Sequence, residues 1–217
     1  MFKIYCAGPL FNPIERKEML AISNTLKDAG FSVFLPQEDG LEFARLFPAF
    51  LERGFQQNDA QKILNHAIFS LDVYEVIDAD GLVLNMNGRV PDEGAMVEAG
   101  IAWANNKPIV IFNSDDRSLL QGVCNPLVMG LSNFEVISEY QQIPVKFTEL
   151  FSQSSERIIR NEAFPFEETK NKGKAISEYI SNQKNQNEIA ELLINLFGED
   201  LCTKGQRRSC VDHNMQQ

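Results

Sequence analysis

The chain has 217 residues, 44% of them apolar and 23% charged, enough for one generous domain or one domain with an appendage. Thirty acidic residues against twenty basic ones leave a net charge of −10, which repels polyanions and argues against nucleic acid or an anionic membrane as the main partner. No apolar run reaches the roughly 18–20 residues that span a bilayer, whereas a small uncharged substrate stays open. MFKIYCAGPLF at the N-terminus has no cationic lead longer than Lys3, so it reads as a strand rather than a signal peptide, and a cytoplasmic protein is expected. Cys6, Cys124, Cys202 and Cys210 form no C-x-x-C pair, and only His66 and His213 could join them at a metal. A reduced chain with no zinc site is the expectation.

In chain order, residues 2–7 (FKIYCA) are β-rich and end at Gly8-Pro9, and residues 13–30 have a helical pattern closed by Gly30. A second strand is predicted over 31–36 (FSVFLP). Residues 41–54 are apolar at helical spacing but contain Pro48, which predicts a broken helix there. Residues 58–78 carry one apolar stripe at helical spacing. GLVLNM (81–86) is almost continuously apolar, as strands covered on both faces are. A helix from about 92 to 106, a strand over 108–112 and a strand over 133–137 follow. Strands alternating with helices imply right-handed crossovers and a parallel three-layer α/β sheet, with sites at the carboxyl ends of the strands. The character changes near residue 145. A catalytic domain is therefore expected over 1–145, and a polar helical extension with a frayed tail over 146–217, its helical pattern strongest at 188–197.

One carboxylate stands apart in GRVPDEGAMVEAGIAWANN. Glu98 lies on a predicted helix face with Gly94, Ala95 and Ala102, all small enough to let another group approach the backbone. The nearby helix start favours its ionised form, and such a carboxylate can attack an electrophilic carbon or accept a proton. On spacing alone Glu98 can equally sit on the solvent side of a surface helix. Asp92 and Glu93 follow a strand and its loop, where such sheets place ligands, and they also suit the ordinary first turn of a helix. Asp72 interrupts the apolar stripe of IFSLDVYEVI; buried, it needs a partner or a raised pKa, which a proton donor also needs. Tyr5, if buried, needs a hydroxyl partner, for which a carboxylate is natural. There is no phosphate loop of the G-x-x-x-x-G-K-[ST] type, no G-x-G-x-x-G after the first strand and no G-x-S-x-G elbow. With only two histidines, a Ser-His or Cys-His couple is disfavoured, and carboxylate chemistry remains.

KIYCAGPLFN, DADGLVLNMNGRVPDEG and MVEAG, in this order and spacing, resemble the nucleoside 2-deoxyribosyltransferase family from residue 2 to about 138. The resemblance implies a flavodoxin-like fold of five parallel strands and transfer of 2-deoxyribose between nucleobases. Its partners would be a deoxynucleoside and a free nucleobase, with neither metal nor cofactor. It assigns Glu98 as the nucleophile, Asp72 as the acid and base acting on the departing and incoming nucleobases, and Tyr5 as the residue orienting Glu98. Asp92 matches a carboxylate that binds sugar hydroxyls, Phe11 an aromatic ring stacked on the base, and Gly8 lies in the AGPLF part of the substrate-binding set. Asn125 resembles an asparagine donated by a neighbouring subunit, which implies a dimer-based homo-oligomer with a shared site. Two other functions stay open: hydrolysis of the N-glycosidic bond of a deoxynucleoside 5′-monophosphate, for which Arg89 is the candidate phosphate ligand, and a nucleotide-sensing module without chemistry.

Overall fold

The computed structural model describes residues 1–41, 43–88, 91–115, 125–160 and 164–182, with 192–193 and 195–197. Strand β1 (Lys3–Ala7) leads to α1 (Pro13–Asp28), whose start has a capping box. The Asn12 side chain accepts from Ile14 N and Glu15 N, and Glu15 reaches back to the Asn12 backbone. β2 (Ser32–Phe34) stops short of the predicted 36, because Pro36 opens the short helix α2 (Pro36–Asp39).

The next element corrects an expectation. α3 (Phe43–Glu52) runs through Pro48 unbroken. Proline removes one main-chain hydrogen bond, but the apolar face of α3 packs on α4 (Gln57–Asp78), and Phe43 stacks on Phe47 with centroids 5.1 Å apart. Packing outweighs the lost bond here.

β3 (Gly81–Asn85), α5 (Glu93–Ala104) and β4 (Ile109–Phe112) complete the central crossovers. Then come α6 (Pro126–Met129), a single 3₁₀ turn over Gly130–Ser132 and β5 (Val136–Ile137). β5 is shorter than predicted because Asn133 and Phe134 both take positive φ, 53° and 65°, to turn the chain into the sheet. All pairings are parallel, in the order β2-β1-β3-β4-β5, which is a flavodoxin-like sheet with its topological switch point between β1 and β3.

The two-residue period of the strands divides the core into two layers. Ile4, Cys6, Val83, Val110 and Phe112 face Met19, Ile22 and Leu26 of α1. The same layer holds Ile143, Phe147 and Phe151 of α7 (Gln142–Arg160). Tyr5, Ala7, Leu82, Leu84, Ile109 and Ile111 face the other way, against Val76 at the end of α4 and Ala95, Ala99 and Ala102 of α5. The chain is thus a three-layer α/β/α sandwich.

The chain divides into compact units at Met1–Glu162 and Ala163–Gln217, later than the 145/146 division drawn from the sequence. The reason is α7: Phe147 is fully buried and Phe151 nearly so, each worth about 1.5–3 kcal/mol of burial to the first unit. The second unit contains α8 (Pro165–Asn182), laced by Lys172–Glu168 and Lys174–Glu178 pairs one turn apart. Residues 192, 193 and 195–197 are helical too, and the Lys172 ammonium lies 5.2 Å from the Phe197 ring centre. Among the described residues, no helix is long and apolar enough to cross a membrane.

Candidate active site

Tyr5 is central in β1 and completely buried, and its ring stacks on Phe34 of β2 with centroids 5.4 Å apart. Its hydroxyl donates to Glu98 Oε1 over 2.8 Å. α5 comes near enough for that bond because the residues it buries fully are alanines: Ala95, Ala99 and Ala102 are each at most 2% exposed. Glu98 is half-buried beside them, while Gly94, assigned to the same face from spacing, is exposed.

Burial pushes the Glu98 carboxyl up to about 7, and the charges of Asp72 and Asp92 push the same way, while the Tyr5 bond opposes them. Asp72, half-buried on α4, is also held above the ordinary carboxylate range, by burial first and by the charge of Glu75 second. The Tyr5 hydroxyl is raised as well, through burial and the charges of Glu98 and Asp72, so it stays a proton donor at neutral pH. Asp72, Glu98 and Tyr5 therefore share one electrostatic neighbourhood. Asp92 belongs to it at the helix start, where its side chain caps α5 by accepting from Gly94 N at 2.8 Å.

Gly8 lies just past the end of β1, beside the switch point. A Cβ on Gly8 would stand 2.8 Å from Asn85 Cβ and 2.7 Å from Met19 Sδ, so only glycine fits between these elements. Phe11 sits in the loop between β1 and α1 and is 79% exposed. Asn125 is exposed at the start of α6, where its side chain accepts from Leu127 N at 2.9 Å. The structure thus brings Tyr5, Glu98, Asp72 and Asp92 together, and places Gly8, Phe11 and Asn125 on loops that follow β1 and β4. Arg89, Cys124, Cys202, Cys210 and His213 lie outside the described residues. Cys6 is a free thiol buried in the core, which burial pushes up and leaves inert. Among the described residues, no group of three His, Cys, Asp or Glu side chains is placed to hold a metal.

One cluster went unread in the sequence. Asn85 and Asn87, 2% and 8% exposed, close the carboxyl end of β3. Asn87 Oδ1 accepts from Ser114 N at 2.7 Å, its Nδ2 donates to Ser114 Oγ at 3.1 Å and to Glu18 Oε2 at 3.3 Å, and its backbone N–H donates to Asn85 Oδ1 at 3.0 Å. Gly88 N donates to Asp115 Oδ2 at 3.3 Å. This network ties Asn87 and Gly88, just past β3, to Glu18 of α1 and to Ser114 and Asp115 just past β4. Its signal was present in LNMN, where two asparagines end an otherwise apolar strand.

The family model for nucleoside 2-deoxyribosyltransferase matches residues 4–196, and the chain belongs to that family. Its fold is similar to that of a conserved protein from Enterococcus faecalis V583, at TM-score 0.53 and 21% identity, covering 69% of this chain and 98% of that one. A 2-deoxyribosyltransferase from Bacillus psychrosaccharolyticus aligns at TM-score 0.48 and 22% identity, over 65% of this chain and 90% of that one. A CMP N-glycosidase from Clostridium botulinum aligns more loosely, at TM-score 0.39 and 14% identity, over 67% and 98%. No curated protein sequence matches the chain.

Proposed function

We propose that this protein transfers 2-deoxyribose from one nucleobase to another through a covalent ester on Glu98. The observation that carries the reading is the 2.8 Å bond from the Tyr5 hydroxyl to Glu98 Oε1, which fixes a half-buried carboxylate within the field of two others. In the first half-reaction a Glu98 oxygen attacks C1′, the C1′–N bond breaks, and its electron pair leaves on the base. Asp72 supplies the proton that the departing nitrogen takes up. In the second half, a nitrogen of the incoming base attacks C1′, the ester C–O bond breaks, and Asp72 takes the proton back. Two carboxyl groups with different protonation states thus serve one oxocarbenium-like transition state, as in retaining glycosidases.

In this reading Asp92 accepts from the sugar hydroxyls, Gly8 lets the loop after β1 seat closely against Met19 and Asn85, and the exposed Phe11 side chain stacks on the base. Asn125 acts from a neighbouring copy, so activity depends on assembly. An uncharged nucleoside suits the site better than a 5′-monophosphate. Glu18 and Asp115 already engage Asn87 and Gly88 N at the carboxyl ends of the strands, and their charge repels a phosphate.

Incubation with a deoxynucleoside and a second free base, followed by chromatography, tests the reading: a new deoxynucleoside is expected. Mass spectrometry after reaction with a slow fluorinated donor is expected to find the sugar on Glu98. Release of base without exchange, or an adduct on another residue, overturns it.

A further inference from the structure

Lys3 precedes Tyr5 by two residues on β1, so both side chains leave the sheet on the face that α4 and α5 cover. Its ammonium bonds Glu75 Oε2 at 2.5 Å and Asp78 Oδ2 at 2.8 Å in the last turns of α4, and its backbone N–H donates to Asp80 Oδ2 at 2.8 Å. The same ammonium lies 5.9 Å from the centre of the Phe34 ring, which stacks on Tyr5. Glu75 is three residues beyond Asp72, so the two carboxyl groups share one face of α4. Lys3 therefore reaches Asp72 through a single intermediary.

The groups whose charge meets Asp72 are Glu75 on its own helix, Tyr5 from β1 and Glu98 from α5, while α3, also packed on α4, ends in Glu52. Apart from the neutral tyrosine all are acidic, and each like charge makes a second proton harder to release. We propose that Lys3 is a positioning residue which, by holding the Glu75 carboxylate, keeps Asp72 able to alternate between acid and carboxylate during exchange. The inference rests on the transferase reading, in which Asp72 carries the proton. Without the ammonium, the Glu75 charge acts on Asp72 unopposed.

The second half-reaction isolates the effect, because Glu98 is then esterified and cannot titrate. With adenine as acceptor, kcat/KM for the base is expected to rise with pH as Asp72 ionises. In Lys3→Met that limb moves upward by about half a pH unit, as one partly screened charge a helical turn away requires. Glu75→Gln moves it downward, and the Lys3→Met, Glu75→Gln double variant stays with Glu75→Gln, because without Glu75 the ammonium has no route to Asp72. A lysine that only braces the fold lowers the rate and leaves the limb in place. Unmoved limbs in Lys3→Met and Glu75→Gln, or a double variant displaced as far as Lys3→Met, overturn the inference. If Lys3→Met does not fold, Lys3→Gln, which removes the charge and keeps a donor for Glu75, takes its place and is read for the same upward limb. Absence of exchange in the wild type, or a limb that survives Asp72→Asn, overturns the transferase reading itself.

Discussion

The Tyr5 hydroxyl and Glu98 Oε1 lie 2.8 Å apart, so a buried strand residue holds the carboxylate of a neighbouring helix by its proton. That bond favours the ionised glutamate, against burial and two nearby acids that disfavour it. In Tyr5→Phe the Glu98 carboxyl rises further above about 7, and less of it is ionised at neutral pH. Exchange at pH 7 is expected to fall about tenfold, the worth of one hydrogen bond to a charged group. The acid limb of kcat/KM for the donor moves to higher pH, which a pH profile of initial rates reads directly.

Glu98 also links stability to pH. Its carboxyl stands at about 7 in the folded chain against an ordinary 4.5, so the folded state binds the extra proton. The group's stabilising contribution is present below pH 4.5 and is lost as pH rises through 7. Glu98→Gln keeps an acceptor for Tyr5 and removes the buried charge. It is expected to be inactive in exchange and more stable than wild type at pH 8 by about 1–3 kcal/mol, with the gap closing at pH 4. Thermal melts at the two pH values, beside an exchange assay, check both halves.

Asp72→Asn removes the carboxyl group that the transferase reading makes the proton carrier, and keeps its shape. The slowing is expected to be greatest for donors with poorly leaving bases, which depend most on protonation. Initial rates over a series of nucleobases give the dependence. Equal slowing across the series would remove the acid role from Asp72.

Gly8→Ala tests the close seating at the switch point. The added carbon meets Asn85 Cβ, 2.8 Å away on a paired strand, and Met19 Sδ at 2.7 Å. The sulfur can swing aside; the asparagine backbone cannot. A loss of about 1–3 kcal/mol is expected in urea unfolding.

The parallel sheet and its crossovers were legible because apolar runs, helical spacing and glycine stops agree over residues 1–138. The tyrosine–carboxylate pair was also within reach, since a buried hydroxyl demands an acceptor. Other features depend on three-dimensional packing that spacing does not carry. α3 holds through Pro48 because its rings stack and α4 covers it. Most of α7 fell in the extension drawn from residue 146, yet Ile143, Phe147 and Phe151 insert into the core. The Asn87 network joins residues 69 and 27 positions apart, beyond the range of any local pattern.

The alanine seat of α5 also decides where substrate preference can be altered. The residues that α5 buries fully are alanines, so the helix has little room for a larger neighbour there. A protein engineer seeking a different sugar or base would leave residues 95–102 untouched. The exposed Phe11 side chain, in the loop after β1, is the part to redraw.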